Sequence, residues 1–152
     1  MMFKTGLSVI VLLVALIQVA CADAPDTKIR WMGYDAAQEQ KPSADKKQFI
    51  YFASTNCGYC RLLEKDVFSR DDVADYVNTH YTPVRVDIDR NRKVALQFGV
   101  QGVPDLRFLT AKGESIARWP GYAEAPHLLM MLKYVHTDSY LKMGFQEFAS
   151  QQ

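Results

Sequence analysis

Two cysteines carry the clearest chemical signal in this sequence. They stand three positions apart, in the segment Cys57-Gly58-Tyr59-Cys60. A cysteine thiolate is both a nucleophile and a metal ligand, so the pair suits either thiol–disulfide exchange or one half of a zinc site. A zinc site needs further ligands at suitable spacing, and the histidines of the chain are scattered along it, at His80, His127 and His136. We therefore expect redox chemistry and no metal.

The beginning of the chain has the pattern of an export signal. Lys4 is the only charged side chain before Asp23, residues 7–17 are almost wholly apolar, and small residues follow. A positive start, a short apolar run and a small-residue exit are typical of a secretory signal peptide, which we predict over residues 1–22. The apolar run is shorter than the roughly 20 residues that span a membrane, and an uncleaved membrane anchor is the alternative.

The third cysteine, Cys21, lies at the end of this signal. The small residues around it fit cleavage before Asp23, whereas in a bacterial lipoprotein Cys21 would become the lipidated first residue. Gln18 stands where such lipoproteins usually have an aliphatic residue, which favours simple cleavage. Both alternatives leave Cys57 and Cys60 as the free thiols of an exported chain, and oxidising compartments promote pairing. Because so short a loop stabilises a fold little, the pair is not a structural crosslink.

The composition is that of one ordinary globular domain. The chain has 152 residues, of which 49% are hydrophobic and 23% charged, and its formal net charge is +1. A chain of this size can bury a single core. No block of like charge occurs, so nothing in the sequence points to nucleic acid as a partner.

The cysteine pair lies between a predicted strand and a predicted helix. Residues 48–53 form a nearly continuous apolar run rich in aromatics, which is typical of a central strand buried on both faces. Ser54-Thr55-Asn56 follows, and residues of these types cap helices. From Cys57 onwards the apolar residues recur at helical spacing. The sequence therefore predicts Cys57 at the N-terminus of a helix that follows a buried strand.

The remaining elements alternate between strand and helix and include a hairpin. Gly102-Val103-Pro104 breaks the chain before that hairpin. Alternation implies parallel crossovers and the hairpin adds antiparallel strands, which predicts an α/β fold with a central mixed sheet flanked by helices. Further strands are predicted over residues 29–31, 82–89, 106–109 and 114–119, and helices over residues 34–40, 71–80, 90–98, 124–135 and 140–148.

A buried strand, a Cys-x-x-Cys that opens a helix and a Gly-Val-Pro turn before a hairpin together resemble the thioredoxin pattern. The segment Phe98-Gly-Val-Gln-Gly-Val-Pro104 is similar to the part of thioredoxins that carries their cis-proline. The similarity covers roughly residues 29–135, and the chain most resembles the exported thioredoxin-like proteins of bacteria. It implies a thioredoxin fold over residues 31–136, preceded by a leader at 23–30 and followed by a C-terminal helical extension at 137–152.

The resemblance also implies a role for each site residue. Cys57 is the attacking nucleophile, and its pKa falls from ~8.5 towards ~7 because a helix N-terminus favours an anion. Cys60, one helical turn further on, resolves the mixed disulfide. Pro104 forms a cis bond that faces the cysteines, Val103 pairs its backbone with the substrate chain, and exposed Tyr59 contacts substrate. A simple turn proline is the alternative for Pro104.

Several positions depart from the thioredoxin pattern. Tyr51 replaces the buried acid of the strand before the cysteines, Asn56 replaces the usual tryptophan, and Asp105 replaces the threonine after the proline. Glu64 lies four residues after Cys60 on the same helix face, and we predict that it relays protons to the cysteines. A surface glutamate is the alternative.

These features predict an exported, periplasmic thiol:disulfide oxidoreductase that acts on disulfide- or thiol-bearing protein substrates. No cofactor beyond the Cys57–Cys60 pair is expected. A reductase is the favoured direction, because the proline loop and the compact core resemble thioredoxin, and this direction needs a membrane electron donor. A periplasmic disulfide oxidase or isomerase and a non-catalytic thioredoxin-like binding module are the alternatives.

Overall fold

The structure is a computed structural model, and it describes residues 27–39 and 46–152. The signal peptide predicted over residues 1–22, the lipidation of Cys21 and the first part of the predicted leader lie outside these residues. Among the helices of the described parts of the chain, none combines the length and the apolar character needed to cross a membrane.

The described residues form a five-stranded mixed sheet flanked by helices, which confirms the predicted fold class. The strands lie side by side in the order β1-β3-β2-β4-β5. Strands β1, β3 and β2 are parallel, β4 is antiparallel to β2, and β5 is antiparallel to β4. Their bounds are β1 (Met32–Gly33), β2 (Lys47–Ala53), β3 (Tyr81–Asp87), β4 (Asp105–Leu109) and β5 (Ser115–Pro120).

Strand β2 lies in the middle of the sheet because both of its faces are apolar. Six of its seven residues are buried. Phe49 and Tyr51 belong to one hydrophobic cluster, and Ile50 and Phe52 belong to another on the opposite face. A strand without a polar face is stable only where both faces are covered, so its sequence selects the central position.

Helices cover both faces of this sheet. Helices α2, α3, α5 and α6 supply buried side chains to the larger cluster beside Phe49 and Tyr51, whereas α1 and α4 pack beside Ile50 and Phe52. Helix α2 continues into a π-helical turn over Glu64–Phe68. The helices are α1 (Tyr34–Glu39), α2 (Gly58–Leu63), α3 (Asp71–His80), α4 (Arg92–Gln97), α5 (Ala125–His136) and α6 (Phe145–Ser150).

The strand predicted over residues 29–31 is wrong, since β1 begins only at residue 32. The N–H groups of residues 30 and 31 do not donate to a neighbouring strand. Arg30 N–H donates to Asn78 Oδ1 at 2.9 Å, and Trp31 N–H donates to the carbonyl at position 29, also at 2.9 Å. Ile29 is 4% exposed and belongs to the larger core. The packed domain therefore begins before residue 31, within the segment predicted as a leader.

The helix predicted over residues 140–148 is divided in two. A 3₁₀ turn spans Ser139–Leu141, and α6 begins only after Gly144. The break lets the extension fold back against α5, where the Tyr134 hydroxyl donates to the carbonyl of residue 143 at 2.7 Å and its ring lies 5.3 Å from that of Phe148. The other predicted elements agree with the structure to within two residues at their ends.

Replacing Phe148 with alanine should destabilise the fold by about 3 kcal/mol, as measured by urea unfolding. The side chain is 8% exposed and lies in the larger core, so its truncation removes buried apolar contacts. Leu141→Ala is the matched control, because this side chain of the same extension is 72% exposed. It should change stability by less than about 0.5 kcal/mol. Equal effects of the two changes would contradict the docking of α6.

Two histidines meet at the edge of the sheet where β2 begins. His80 ends α3 and His136 ends α5, and their ring centroids lie 4.1 Å apart. The Tyr76 hydroxyl lies 3.0 Å from Nδ1 of His136. Burial, followed by the charges of His80 and Lys47, lowers the pKa of His136. The fold thus brings together two histidines that are far apart in sequence. Within residues 27–39 and 46–152, no group of three or more His, Cys, Asp or Glu side chains is arranged to hold a metal ion.

The free energy of unfolding should fall between about pH 7.5 and pH 5.5, and His136 should account for part of the fall. Because its pKa is lowered in the fold, the unfolded chain binds this proton first as the pH drops. The contribution of neutral His136 to the free energy of unfolding is therefore present above the pKa of about 6.5 that histidine has in the unfolded chain, and it is lost as the pH falls below that value. Urea unfolding of wild type and His136→Gln at both pH values measures it.

His127→Gln is the control for this measurement, since the His127 side chain lies on the same helix and is 60% exposed. It should keep the pH dependence of wild type, whereas His136→Gln should flatten it. Identical pH dependence in all three proteins would contradict the assignment.

Candidate active site

The turn between β2 and α2 presents Cys57 at the carboxyl end of the central strand. Cys57 is the N-cap of α2, and its N–H donates to the Ser54 carbonyl at 3.2 Å. Asp89, just beyond β3, holds this turn: its Oδ2 accepts from Ser54 Oγ at 2.8 Å and from the Thr55 N–H at 3.0 Å. The Ser54 hydroxyl and then the Thr55 N–H lower the pKa of Asp89, so the carboxylate stays charged at neutral pH.

Cys57 and Cys60 are joined by a disulfide. The Cys60 N–H lies 3.0 Å from Cys57 Sγ and donates to it. Cys60 is 2% exposed, whereas Cys57 is only partly buried. An accessible sulfur in front of a buried one suits attack by the first and resolution by the second. Tyr59, between them, is 65% exposed and extends into solvent.

The loop before β4 lies against the disulfide. The Val103 carbonyl oxygen is 3.5 Å from Cys57 Sγ, and the Val103–Pro104 peptide bond is cis. The Pro104 carbonyl accepts from the Gly121 N–H at 2.8 Å, which ties the loop to the end of β5. Within the part of the chain that the structure describes, the Val103 N–H has no backbone partner. This peptide group is therefore able to pair with an added strand.

The position where thioredoxins carry a buried acid holds a tyrosine that is linked to a carboxylate. The Tyr51 hydroxyl lies 3.2 Å from Glu64 Oε1 and 3.4 Å from the Cys60 carbonyl oxygen. Arg85 Nη2 lies 3.2 Å from the same Glu64 oxygen and balances its charge. Burial first, and then the Glu64 charge, raise the pKa of Tyr51, so the hydroxyl keeps its proton at neutral pH and serves as a donor.

The structure brings together the residues that the sequence indicated. Cys57, Cys60 and the Val103–Pro104 peptide lie next to one another, and Tyr59 projects beside them. Glu64 is separated from the Cys60 backbone by one hydroxyl group, and its side chain is 14% exposed, so it is not a surface glutamate.

Some charged residues around the site were missed from the sequence, namely Arg85, Asp89, Arg107 and Arg118. The alternation over residues 82–89 predicts a polar, outward face for Arg85. However, β3 is paired on both sides, and Arg85 is the register partner of Tyr51, so both side chains point to the same covered face. The face on which Arg85 lies follows from the register between β2 and β3. Alternation of polar and apolar residues within one strand does not show which face of the sheet a helix covers.

Comparison with known proteins agrees with this geometry. A thioredoxin-like protein of Synechocystis is 30% identical over 100 residues, which cover 65% of this chain and 88% of that protein. The disulfide bond reductase DsbH of Chlamydia pneumoniae is 22% identical over 102 residues, which cover 59% of this chain and 61% of DsbH. The chain therefore spans less than two thirds of the length of DsbH.

A solved structure described as a putative disulphide-isomerase from Bacteroides thetaiotaomicron is also similar. It has 31% sequence identity and a TM-score of 0.61, and the match covers 78% of this chain and 98% of that one. A family model described as a thioredoxin-like domain matches residues 34–136, which include every element from α1 to α5. The match extends over more than half of the sequence, and this chain therefore belongs to the thioredoxin-like family, as its resemblance predicted.

Proposed function

We propose that this protein is a thiol:disulfide oxidoreductase that exchanges disulfides with polypeptide substrates. The observation that carries the proposal is the Cys57–Cys60 disulfide at the start of α2, with one sulfur accessible, the other buried and the Val103 carbonyl beside them. Similar proteins that are named as a disulfide bond reductase and a putative disulphide-isomerase support it. The reaction requires no cofactor beyond the two cysteines.

In the reductive direction both cysteines start as thiols. The Cys57 thiolate attacks one sulfur of the substrate disulfide, and the other substrate sulfur leaves as a thiolate that takes up a proton. Cys60 then loses its proton and attacks Cys57 Sγ, which forms the Cys57–Cys60 bond and releases the second substrate thiol. Two electrons pass to the substrate, and the protein ends with the disulfide that the structure contains.

The backbone around the cysteines supports the first of these steps. The Cys60 N–H that donates to Cys57 Sγ stabilises a thiolate at the same place. The Val103 carbonyl lies beside this sulfur, and the N–H of the same residue has no backbone partner among the described residues, so Val103 suits pairing with the substrate backbone, which would bring the scissile disulfide to Cys57. Exposed Tyr59 supplies further contact area.

We also propose that Glu64 controls the protonation of the pair. Cys60 is buried when it must lose its proton, and the Tyr51 hydroxyl joins its backbone to the Glu64 carboxylate. A negative charge close to a thiol raises the pKa of the thiol, and the ion pair with Arg85 moderates that effect. The carboxylate is the candidate general acid and base for this region, and the Tyr51 hydroxyl holds it in place by donating to it.

The proposed direction is reduction in the periplasm, after export by the signal peptide predicted over residues 1–22. The relation to a protein named as a disulfide bond reductase supports this direction. In the described residues, only α4 stands between β3 and β4, as in a compact thioredoxin-type core. A periplasmic reductase must be reduced again, and a membrane-bound thiol donor is the class of partner that could supply the electrons.

The wild-type protein should accelerate the reduction of insulin by dithiothreitol, and Cys57→Ser should abolish the acceleration because it removes the nucleophile. Reduced Cys60→Ser, freed of dithiothreitol before insulin is added, should accumulate a mixed disulfide with insulin, because the resolving thiol is absent. Turbidity and non-reducing gels measure the two effects. A wild-type protein without insulin activity would favour a binding module, which is the alternative function.

The reduction potential of the pair decides the direction. A value near about −270 mV, from a glutathione or dithiothreitol redox titration, is expected of a reductase. A value near about −120 mV would contradict the reductase proposal and support an oxidase.

Replacing Glu64 with glutamine should lower the pKa of the Cys57 thiol, because the change removes a nearby negative charge and leaves Arg85 without its partner. The pH dependence of Cys57 alkylation by iodoacetamide measures this pKa. Asp66→Asn is the matched control, since it makes the same charge change at an exposed position of the same helical segment. An unchanged pKa in Glu64→Gln would contradict the role of Glu64.

A further inference from the structure

A fully buried carboxylate follows the loop that contacts the disulfide. Asp105 is 0% exposed and begins β4 directly after Pro104. Arg107 donates to it through Nε at 2.7 Å and through Nη2 at 3.1 Å. Arg118 donates to it through Nε at 3.1 Å and through Nη2 at 2.8 Å. Both carboxylate oxygens are therefore held by guanidinium groups.

Stability alone does not account for this cluster. Burying charged groups costs desolvation energy, and an ion pair of this kind can often be replaced by apolar residues without loss of stability. Moreover, Arg107 and Arg118 are direct cross-strand partners in β4 and β5, where like charges repel each other. Asp105 compensates that repulsion only in part, since two positive charges face one negative charge.

Arg107 also contacts the other end of the loop. Its Nη2 donates to the Phe98 carbonyl at 3.0 Å. Phe98 is the C-cap of α4 and Asp105 is the first residue of β4, so one guanidinium joins the two ends of the loop over residues 98–105. We call this arrangement of Phe98, Asp105 and Arg107 the loop clamp.

The exposed residues of the loop before Val103 contribute little to fixing its position. Gln101 and Gly102 are exposed, and no atom lies within 4 Å of the place where a Cβ on Gly102 would stand. Within the described residues, the N–H groups of residues 101–103 have no backbone partner. Val103 itself packs against both hydrophobic clusters. Its position against Cys57 Sγ is therefore set by this packing together with the ends of the loop, where the clamp acts.

We propose that Asp105 and Arg107 are positioning residues for polypeptide substrates, because the loop clamp holds the Val103 peptide in the place where a substrate backbone pairs. This inference rests on the oxidoreductase function proposed above. Neither side chain contacts the reacting sulfurs, so the clamp acts on substrate alignment rather than on the chemistry of Cys57. Its loss should therefore affect a polypeptide disulfide, which pairs with Val103, more than a small disulfide, which does not.

Arg107→Lys tests this, because lysine keeps the positive charge but lacks the planar fork that bonds two acceptors at once. The reduced protein is mixed with insulin or with bis(2-hydroxyethyl) disulfide under single-turnover conditions, and the loss of protein thiols gives two rate constants. The ratio of the insulin rate to the small-disulfide rate should fall about tenfold, the scale of effect expected of a small misplacement of substrate. Because a partial loss of folded protein lowers both rate constants by the same folded fraction, their ratio is not changed by a loss of stability.

Arg118→Lys is the matched control. Arg118 contacts the same carboxylate but has no bond to Phe98, so the ratio should stay within about threefold of wild type. If Arg107→Lys does not fold, Arg107→Gln replaces it, since this change removes one of the two facing positive charges and leaves Asp105 paired with Arg118.

The outcomes separate the inference from the function on which it rests. A wild-type protein that reduces neither disulfide would overturn the oxidoreductase function and the clamp together. A wild-type protein that reduces insulin, with an unchanged ratio in Arg107→Lys or an equal fall in Arg118→Lys, would overturn the clamp alone.

Discussion

Strand β2 is buried on both faces, and the pairing of its two neighbours determines where the parts of the site meet. Its carboxyl end leads into the turn that carries Cys57. Strand β3 runs parallel to it, so the segment after β3 arrives at the same edge and brings Asp89 to that turn. Strand β4 runs antiparallel, with Phe52 opposite Asp105, so the loop before β4 arrives there as well. A shift of one residue in this register would turn every side chain of the shifted strand to the opposite face.

The same burial explains why charges near the site occur in compensated groups. Glu64 is balanced by Arg85 beside Tyr51, on the face covered by α2 and α3. Asp105 is balanced by two arginines on the opposite face, because its register partner Phe52 belongs to the other hydrophobic cluster. A single uncompensated carboxylate in either place would be costly, since Asp105 is fully buried and Glu64 is largely buried. The central strand thus separates two ionic groups: one is joined to the Cys60 backbone by Tyr51, and the other directly follows the loop that contacts Cys57.

Much of this fold was predictable from the sequence because its strongest patterns are local. The apolar run of β2, the Cys-x-x-Cys and the Gly-Val-Pro turn each occupy a few consecutive residues. The prediction failed at residues 29–31, where apolar side chains enter the core from an irregular segment whose N–H groups bond to a side chain and to its own backbone. It also missed the contact of Arg85 with Glu64 and that of Arg107 with the Phe98 carbonyl, because these partners lie at the ends of α2 and α4. Such contacts depend on register, which a single sequence pattern does not determine.

Under the role proposed for Glu64, the replacement of the usual buried acid by Tyr51 changes which element supplies the proton chemistry. Burial raises the pKa of Tyr51, so this hydroxyl donates a hydrogen bond but does not carry charge at neutral pH. The carboxylate is instead on the π-helical turn, at Glu64, where it reaches the cysteine backbone only through the tyrosine. Protonation and substrate alignment then depend on different elements, Glu64 and Arg85 on one face and Asp105 and Arg107 on the other. Because the two groups share no residue, a change to one of them leaves the contacts of the other intact, and their effects on the reaction should add.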